Sequence, residues 1–258
     1  MTGRRFGFAG LGQMGGPMAT NIAAHLSTRN ATLSVYDQAG TAARAPDKTT
    51  VAGSLEELAQ GADTVFLSLP DGPVSVAVAG ELAAMKDPAV SVVIDLSTIG
   101  LGAAKEAART LAGAGITYID APVSGGQEGA QNGALTVMVG GSPEDFARGE
   151  AAMQSFAKAV IHMGDAGCGQ LTKMVNQIAC ACSIQALAEG MNFALKAGLD
   201  AHQVVDVISK GAAQSWQMEN RGKTMVDGKF DFGFACDWMR KDLDICLDEA
   251  RVTGGQLP

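Results

Sequence analysis

This chain lacks any strongly basic feature. Its 258 residues carry 27 acidic against 19 basic side chains, for a formal charge of -8, and no basic run exceeds Arg4-Arg5. Nucleic acids and anionic membrane surfaces are recognised by clustered positive charge, so neither is an expected partner. A small anionic ligand would need a local positive group instead. Material for a metal site is also short, because the three histidines, His25, His162 and His202, are scattered and match no ligand spacing. The cysteines, at 168, 180, 182, 236 and 246, are odd in number and form no CxxC pair. They read as reduced structural thiols of a cytosolic protein. The apolar pattern begins at Phe6, which leaves no room for a signal or transit peptide, and no apolar h-region follows Arg4-Arg5. Cytoplasmic location is therefore expected. No internal repeat or low-complexity tract is present.

At 47% hydrophobic and 18% charged residues, the chain can bury a sizeable core in one large or two modest domains. Apolar runs at Phe6 to Ala9, Leu33 to Tyr36, Val65 to Leu69, Val90 to Asp95, Thr117 to Ile119 and Leu135 to Val139 alternate with alanine-rich stretches. This alternation predicts an α/β fold built on a parallel, doubly wound sheet. Strand signals stop after Gly164, so the spacing predicts a sheet domain over 1–164 and a smaller all-helical domain over 165–258. Leu171 to Ala197 reads as one long apolar helix, and Asn176, Gln177, Gln185, Glu189 and Asn192 argue against a membrane span. A helix apolar almost all round is a buried one. It is expected to be a spine shared with a second subunit, in a homodimer or homotetramer.

The most specific local pattern is Gly10-Leu-Gly-Gln-Met-Gly15, placed between the apolar strand ending at Ala9 and a helix striped by Met14, Met18, Ile22 and Leu26. Gly10 suits a tight exit from the strand, Gly12 lets backbone approach a pyrophosphate, and Gly15 lets the helix pack closely. The helix start then receives the anion, so Gly10, Leu11, Gly12, Gln13 and Met14 are expected at a dinucleotide. Asp37 ends the next strand 22 residues beyond Gly15, where a carboxylate accepts from the adenosine ribose hydroxyls. Its charge would repel a 2′-phosphate, which favours NAD over NADP, although Arg44 lies close in sequence. Two further strand ends, at Leu69-Pro70 and at Asp95-Leu-Ser-Thr98, carry turn chemistry that can touch the cofactor.

Asp120-Ala-Pro-Val-Ser-Gly-Gly126 follows another strand, and Ser124, Gly125 and Gly126 offer a hydroxyl and open backbone N–H groups, a nest for carboxylate or phosphate oxygens. A glycine-rich passage, Gly164 to Gly169, leads into Lys173 and Asn176, which share a helix face at i and i+3. A lysine near a helix start opposes the macrodipole. Two readings stay open for it: a snorkelling surface lysine, or a proton-transfer group beside a substrate.

Four motifs in order resemble the β-hydroxyacid dehydrogenases, and within them the 3-hydroxyisobutyrate dehydrogenase type. They are Gly10-x-Gly-x-Met-Gly-x-Pro-Met-Ala-x-Asn21, Asp120-Ala-Pro-Val-Ser-Gly-Gly126 with Met138-Val-Gly-Gly141, Gly167-x-Gly-x-x-x-Lys173-x-x-Asn176, and Lys241-Asp-Leu243. The resemblance covers Phe6 to about Leu257. It implies a Rossmann domain followed by an all-helical domain, with cofactor and substrate in a cleft between them. It implies that Lys173 is the catalytic acid or base, that Ser124, Gly125 and Gly126 hold the substrate carboxylate, that Asn176 orients the substrate, and that Thr98 and Lys241 contact the cofactor. Such a lysine must be tuned well below its free value of about 10.4 to act as a base. The family usually has a second asparagine where Gln177 stands, so Gln177 is expected at the substrate with altered reach. The chain ends at Gly254-Gly-Gln-Leu-Pro258, where relatives continue for a few helical turns. Trp216 falls where hydroxyisobutyrate-type members carry a tryptophan. The function implied is NAD-dependent oxidation of a small 3-hydroxy acid. Reduction of a short semialdehyde acid or an imine, and non-catalytic cofactor binding, are the alternatives.

Overall fold

The computed structural model describes residues 5–28 and 31–257. Its first strand, β1 (Phe6–Ala9), is buried along its whole length. That is the signature of a strand covered on both faces, and it explains why the sheet reads as continuous apolar runs rather than alternation. α1 (Gly15–Ser27) follows and buries Met18, Ile22 and Leu26 at four-residue spacing. Next come β2 (Leu33–Tyr36), β3 (Thr49–Val51), α2 (Leu55–Gly61), β4 (Thr64–Leu67), α3 (Gly72–Ala84), β5 (Val92–Asp95) and α4 (Gly100–Gly113). The chain continues through β6 (Thr117–Asp120), β7 (Val123–Ser124), α5 (Gly126–Gln131), β8 (Leu135–Gly140), α6 (Pro143–Met153) and β9 (Ala157–Gly164). The last four helices are α7 (Cys168–Lys196), α8 (Ala201–Ile208), α9 (Trp216–Val226) and α10 (Cys236–Thr253).

Local chemistry sets several boundaries. Ser54 accepts from Glu57 N at 3.1 Å, and Glu57 Oε2 accepts from the N–H of the preceding Gly53 at 2.6 Å, so side chains meet two backbone donors at the start of α2. Asp71 accepts from Val74 N at 3.0 Å at the start of α3, where a proline occupies the first turn. Ser142 and Ser215 play the same part for α6 and α9.

The strand order is β3-β2-β1-β4-β5-β6-β8-β7, with β9 beside β8. Pairs from β3 through β6 are parallel, so the sheet is doubly wound as expected. It is mixed rather than all parallel, because β8 runs antiparallel to both β6 and β7. Chain order reverses at β1 and β4, the topological switch point of such sheets. Two apolar layers cover the faces. One contains Phe8, Phe66 and Phe156, with ring centroids 6.0 and 6.2 Å apart in succession. The other contains Leu58, Val65, Leu82 and Leu111.

The chain divides into two compact units, Met1–Met174 with Asp244–Pro258, and Val175–Leu243. α7 therefore begins in the first and continues into the second. The second unit has its own small core of Leu187, Met191, Ala194, Ala201, Val205 and Met218. α7 is long and apolar enough to cross a membrane by length and composition, and within a single copy of the chain Val175, Phe193 and Leu195 are 67, 72 and 55% exposed. Apolarity marks a surface to be covered, and one copy of this chain leaves much of the helix uncovered.

Candidate functional site

The glycine turn lies at the carboxyl end of β1. Gly10 has φ +94°, and a Cβ there would sit 2.2 Å from Ser68 O, so only glycine fits between these two strand ends. A Cβ on Gly12 would meet nothing within 4 Å, which leaves the open space above the turn that a pyrophosphate needs. Leu11 is buried, Gln13 is exposed and Met14 is half-buried. Leu11 N donates to Asp37 Oδ2 at 2.6 Å, and Ala39 N donates to Asp37 Oδ1 at 2.8 Å. Asp37 thus ties the turn to the end of β2, and its carboxylate keeps acceptor sites for a ribose hydroxyl. Arg44 stands beside it, with Nη1 3.6 Å from Oδ2. These residues fit a dinucleotide.

The strand ends next to this turn are joined by a buried polar network. Leu69 N donates to Ser97 Oγ at 2.8 Å, and Ser97 N donates to Asp95 Oδ1 at 2.9 Å. The Tyr118 hydroxyl donates to Asp95 Oδ2 at 3.2 Å. Burial pushes the Asp95 carboxyl above the usual carboxylate range, against the pull of these hydrogen bonds. The Tyr118 hydroxyl is pushed well up, first by burial and then by the Asp95 and Asp120 charges. The expected cofactor residues Leu69, Pro70 and Thr98 flank this network, with Pro70 exposed and Leu69 and Thr98 half-buried.

Ser124 ends β7, and Gly125 and Gly126 open α5 with φ of +132° and +65°. Both glycines are exposed, so their backbone is accessible, and their positive φ restricts the position to residues without a side chain. Asp120 is fully buried, and its carboxylate accepts from Gly167 N at 2.7 Å and Gln170 N at 2.9 Å. Burial raises its pKa, and those backbone donors offset part of the rise. Lys173 follows on the same helix start and is 7% exposed. This burial argues against an exposed surface lysine.

In the second unit, Asn176 Nδ2 donates to Gln177 Oε1 at 2.8 Å, and Gln177 Nε2 donates to Asp242 Oδ2 at 2.5 Å. Lys241 Nζ lies 3.1 Å from Asp242 Oδ1. Asn176, Gln177 and Lys241 therefore form one chain of polar contacts with Asp242 at its centre. Gln177, expected at the substrate, is 3% exposed and has its amide engaged with Asn176 and Asp242. Sequence reasoning gave no role to Gln170 or Asp242, and took Asp95 only as the start of a turn that can touch the cofactor. The signal available for Asp242 was its place in the Lys241-Asp-Leu243 motif, and for Asp95 its position at a strand end. Among the described residues no group of three or more His, Cys, Asp or Glu side chains could hold a metal ion.

Comparisons with known proteins bear on the fold and the family. Residues 5–164 match the family described as the NAD binding domain of 6-phosphogluconate dehydrogenase, and residues 167–258 match the NAD-binding domain of NADP-dependent 3-hydroxyisobutyrate dehydrogenase. An uncharacterised oxidoreductase of Shewanella frigidimarina is 46% identical, over 97% of this chain and 87% of its own length. The 2-(hydroxymethyl)glutarate dehydrogenase of Eubacterium barkeri is 34% identical, over 98 and 85%. The solved 3-hydroxyisobutyrate dehydrogenase of Mycobacterium tuberculosis with L-serine superposes with a TM-score of 0.86 at 31% identity, covering 99% of this chain and 89% of that one.

Proposed function

The chain belongs to the β-hydroxyacid dehydrogenase family, oxidoreductases that act on CH–OH groups with NAD(P), and from that premise we propose that it oxidises a small 3-hydroxy acid of the 3-hydroxyisobutyrate kind to its semialdehyde with NAD. The observation that carries this reading is a buried lysine, Lys173, on a helix start anchored to the strand ends of a dinucleotide fold. The free amine accepts the hydroxyl proton during oxidation, and the ammonium returns it to the aldehyde oxygen in reduction. The bound nicotinamide supplies the hydride acceptor.

Ser124 and the backbone N–H groups of Gly125 and Gly126 hold the substrate carboxylate, and Asn176 orients the hydroxy acid. Gly10 to Met14, Leu69, Pro70, Thr98 and Lys241 hold the cofactor. Gln177 supports Asn176 directly and Lys241 through Asp242, in place of a direct substrate contact. Asp37 favours a ribose hydroxyl over a 2′-phosphate, with Arg44 softening the preference. The free thiols fit a reducing, cytoplasmic setting. A second copy of the chain, covering Val175, Phe193 and Leu195, would complete a homodimer, and sedimentation as a monomer would refute it.

The compounds in the names of the two characterised relatives, and the L-serine of the solved one, share a hydroxymethyl group on the carbon that bears a carboxylate. That common unit supports the substrate class HOCH2–CHR–COO⁻. The test is reduction of NAD and, separately, NADP by 3-hydroxyisobutyrate, 3-hydroxypropionate, L-serine and 2-(hydroxymethyl)glutarate, ranked by kcat/KM. Turnover with NAD and a highest value at small R supports the proposal. A highest value with NADP, or no turnover of any member, counts against it.

A further inference from the structure

α4 begins without a cap of its own, because Ile99, the residue before it, offers no side-chain acceptor to the first backbone N–H groups. Those donors are met from elsewhere in the chain. Gln170, on the first turn of α7, accepts from Ile99 N at 3.0 Å and from Gly100 N at 3.1 Å through its Oε1. The same amide donates from Nε2 to Ser97 O at 2.8 Å. Thr98 is therefore bracketed, one residue to either side, by hydrogen bonds to a single side chain that is 1% exposed.

Gln170 is itself fixed, since its backbone N–H donates to Asp120 Oδ2. A Cβ on the preceding Gly169 would stand 2.4 Å from Met138 O and 2.7 Å from Asp120 Oδ2, so this helix start has no room to shift toward β6 or β8. Asp120 caps α7, and α7 in turn caps α4 through Gln170. Lys173 lies three residues beyond Gln170, less than one turn along the helix.

We propose that Gln170 is a positioning residue that registers the Thr98 turn, on the cofactor side, against the helix turn that carries Lys173. The proposal rests on the dehydrogenase reading of those two residues. An amide presents, on one rigid plane, an acceptor for two N–H groups and a donor for a carbonyl. A glutamate keeps the acceptor half and loses the donor, so it caps α4, where the dipole favours an anion, but opposes Ser97 O. A leucine keeps the approximate shape and loses both halves, which leaves buried N–H groups without partners.

The experiment titrates NADH by fluorescence with no substrate present, and measures kcat and KM, on the parent, Gln170→Leu and Gln170→Glu. Gln170→Leu is expected to weaken NADH binding by about tenfold or more and to lower kcat as well, with Gln170→Glu falling between it and the parent. A purely structural residue would lower thermal stability alone. Parental NADH affinity and kcat in both variants, whatever their melting temperatures, would overturn the proposal. If Gln170→Leu does not fold, Gln170→Glu decides, since parental values there overturn it and several-fold weaker NADH binding sustains it. If the parent turns over no hydroxy acid, the dehydrogenase reading fails separately, and the NADH titration still decides whether Gln170 registers the cofactor turn.

Discussion

The two ends of α7 are held by different forces. At its start, Gly169, Gln170, Lys173, Met174 and Gln177 are buried, and the position is fixed by a backbone N–H donated to Asp120 and by Gln170 hydrogen bonds with the Ser97–Gly100 turn. From Cys182 onward only Leu187, Met191 and Ala194 are buried, a single stripe at i, i+4 and i+7, while Phe193 and Leu195 face outward. The first stretch is specified by polar groups with fixed directions. The second is specified by apolar area, which is non-directional and tolerates change more readily. Lys173, the proposed proton-transfer group, sits in the stretch whose position is over-determined, which is what proton transfer within hydrogen-bond reach would require.

The largest separation of the two stretches comes from Lys173→Ala. Loss of the acid–base group is expected to lower kcat by about 10² to 10⁴ while NADH binding persists, as read by steady-state rates beside a fluorescence titration. Leu187→Ala attacks the other end. It removes a side chain from the small core of the second unit and should cost about 2 to 5 kcal/mol in chemical denaturation, with NADH affinity unchanged. Asp120→Ala returns to the start of the helix, where it leaves the Gly167 and Gln170 N–H groups unpaired. A loss of about 1 to 3 kcal/mol per buried donor is expected, and it should be accompanied by a fall in kcat that Leu187→Ala does not show.

Asp37→Ser tests the proposed cofactor end of the same network by removing the charge that meets Leu11 N and that is proposed to receive the ribose hydroxyl. It should shift the NAD to NADP ratio of kcat/KM toward NADP by about tenfold. The smallest effect concerns Asp95. Its folded pKa is raised by burial, so the folded chain holds that proton more tightly than the unfolded chain does. The resulting stability is fully present below the unfolded carboxylate pKa and is lost as pH rises through the raised folded value. Asp95→Asn does not titrate, so melting temperatures from about pH 3.5 to about pH 7 should decline less in the variant than in the parent. Parallel curves would show that Asp95 does not contribute to the pH dependence.

What could be read from the sequence follows the same division. The glycine turn, the acid at Asp37 and the strand runs were visible because they are local and because doubly covered strands are continuously apolar. β3 and β9 gave no such run: β3 is largely exposed, and β9 mixes Lys158 and His162 among its apolar residues. The antiparallel placement of β8 depends on pairing, which spacing does not report. The extent of α7 was legible from its composition, but not which part of it is covered. Gln170 looked like an ordinary residue between motif positions, since its partners at Ser97, Ile99 and Gly100 lie 70 to 73 residues earlier. The Gln177–Asp242 link spans 65 residues and was hidden for the same reason.

The most direct test of the account follows the hydride itself. The parent and Lys173→Ala are incubated with NAD and 3-hydroxyisobutyrate deuterated at the hydroxyl-bearing carbon, and the mass of the reduced cofactor is read. The account predicts one deuterium in each NADH formed by the parent and almost no NADH from the variant. Unreduced cofactor in the parent at saturating acid, with NADH binding intact, would contradict it, and so would undiminished label transfer by Lys173→Ala.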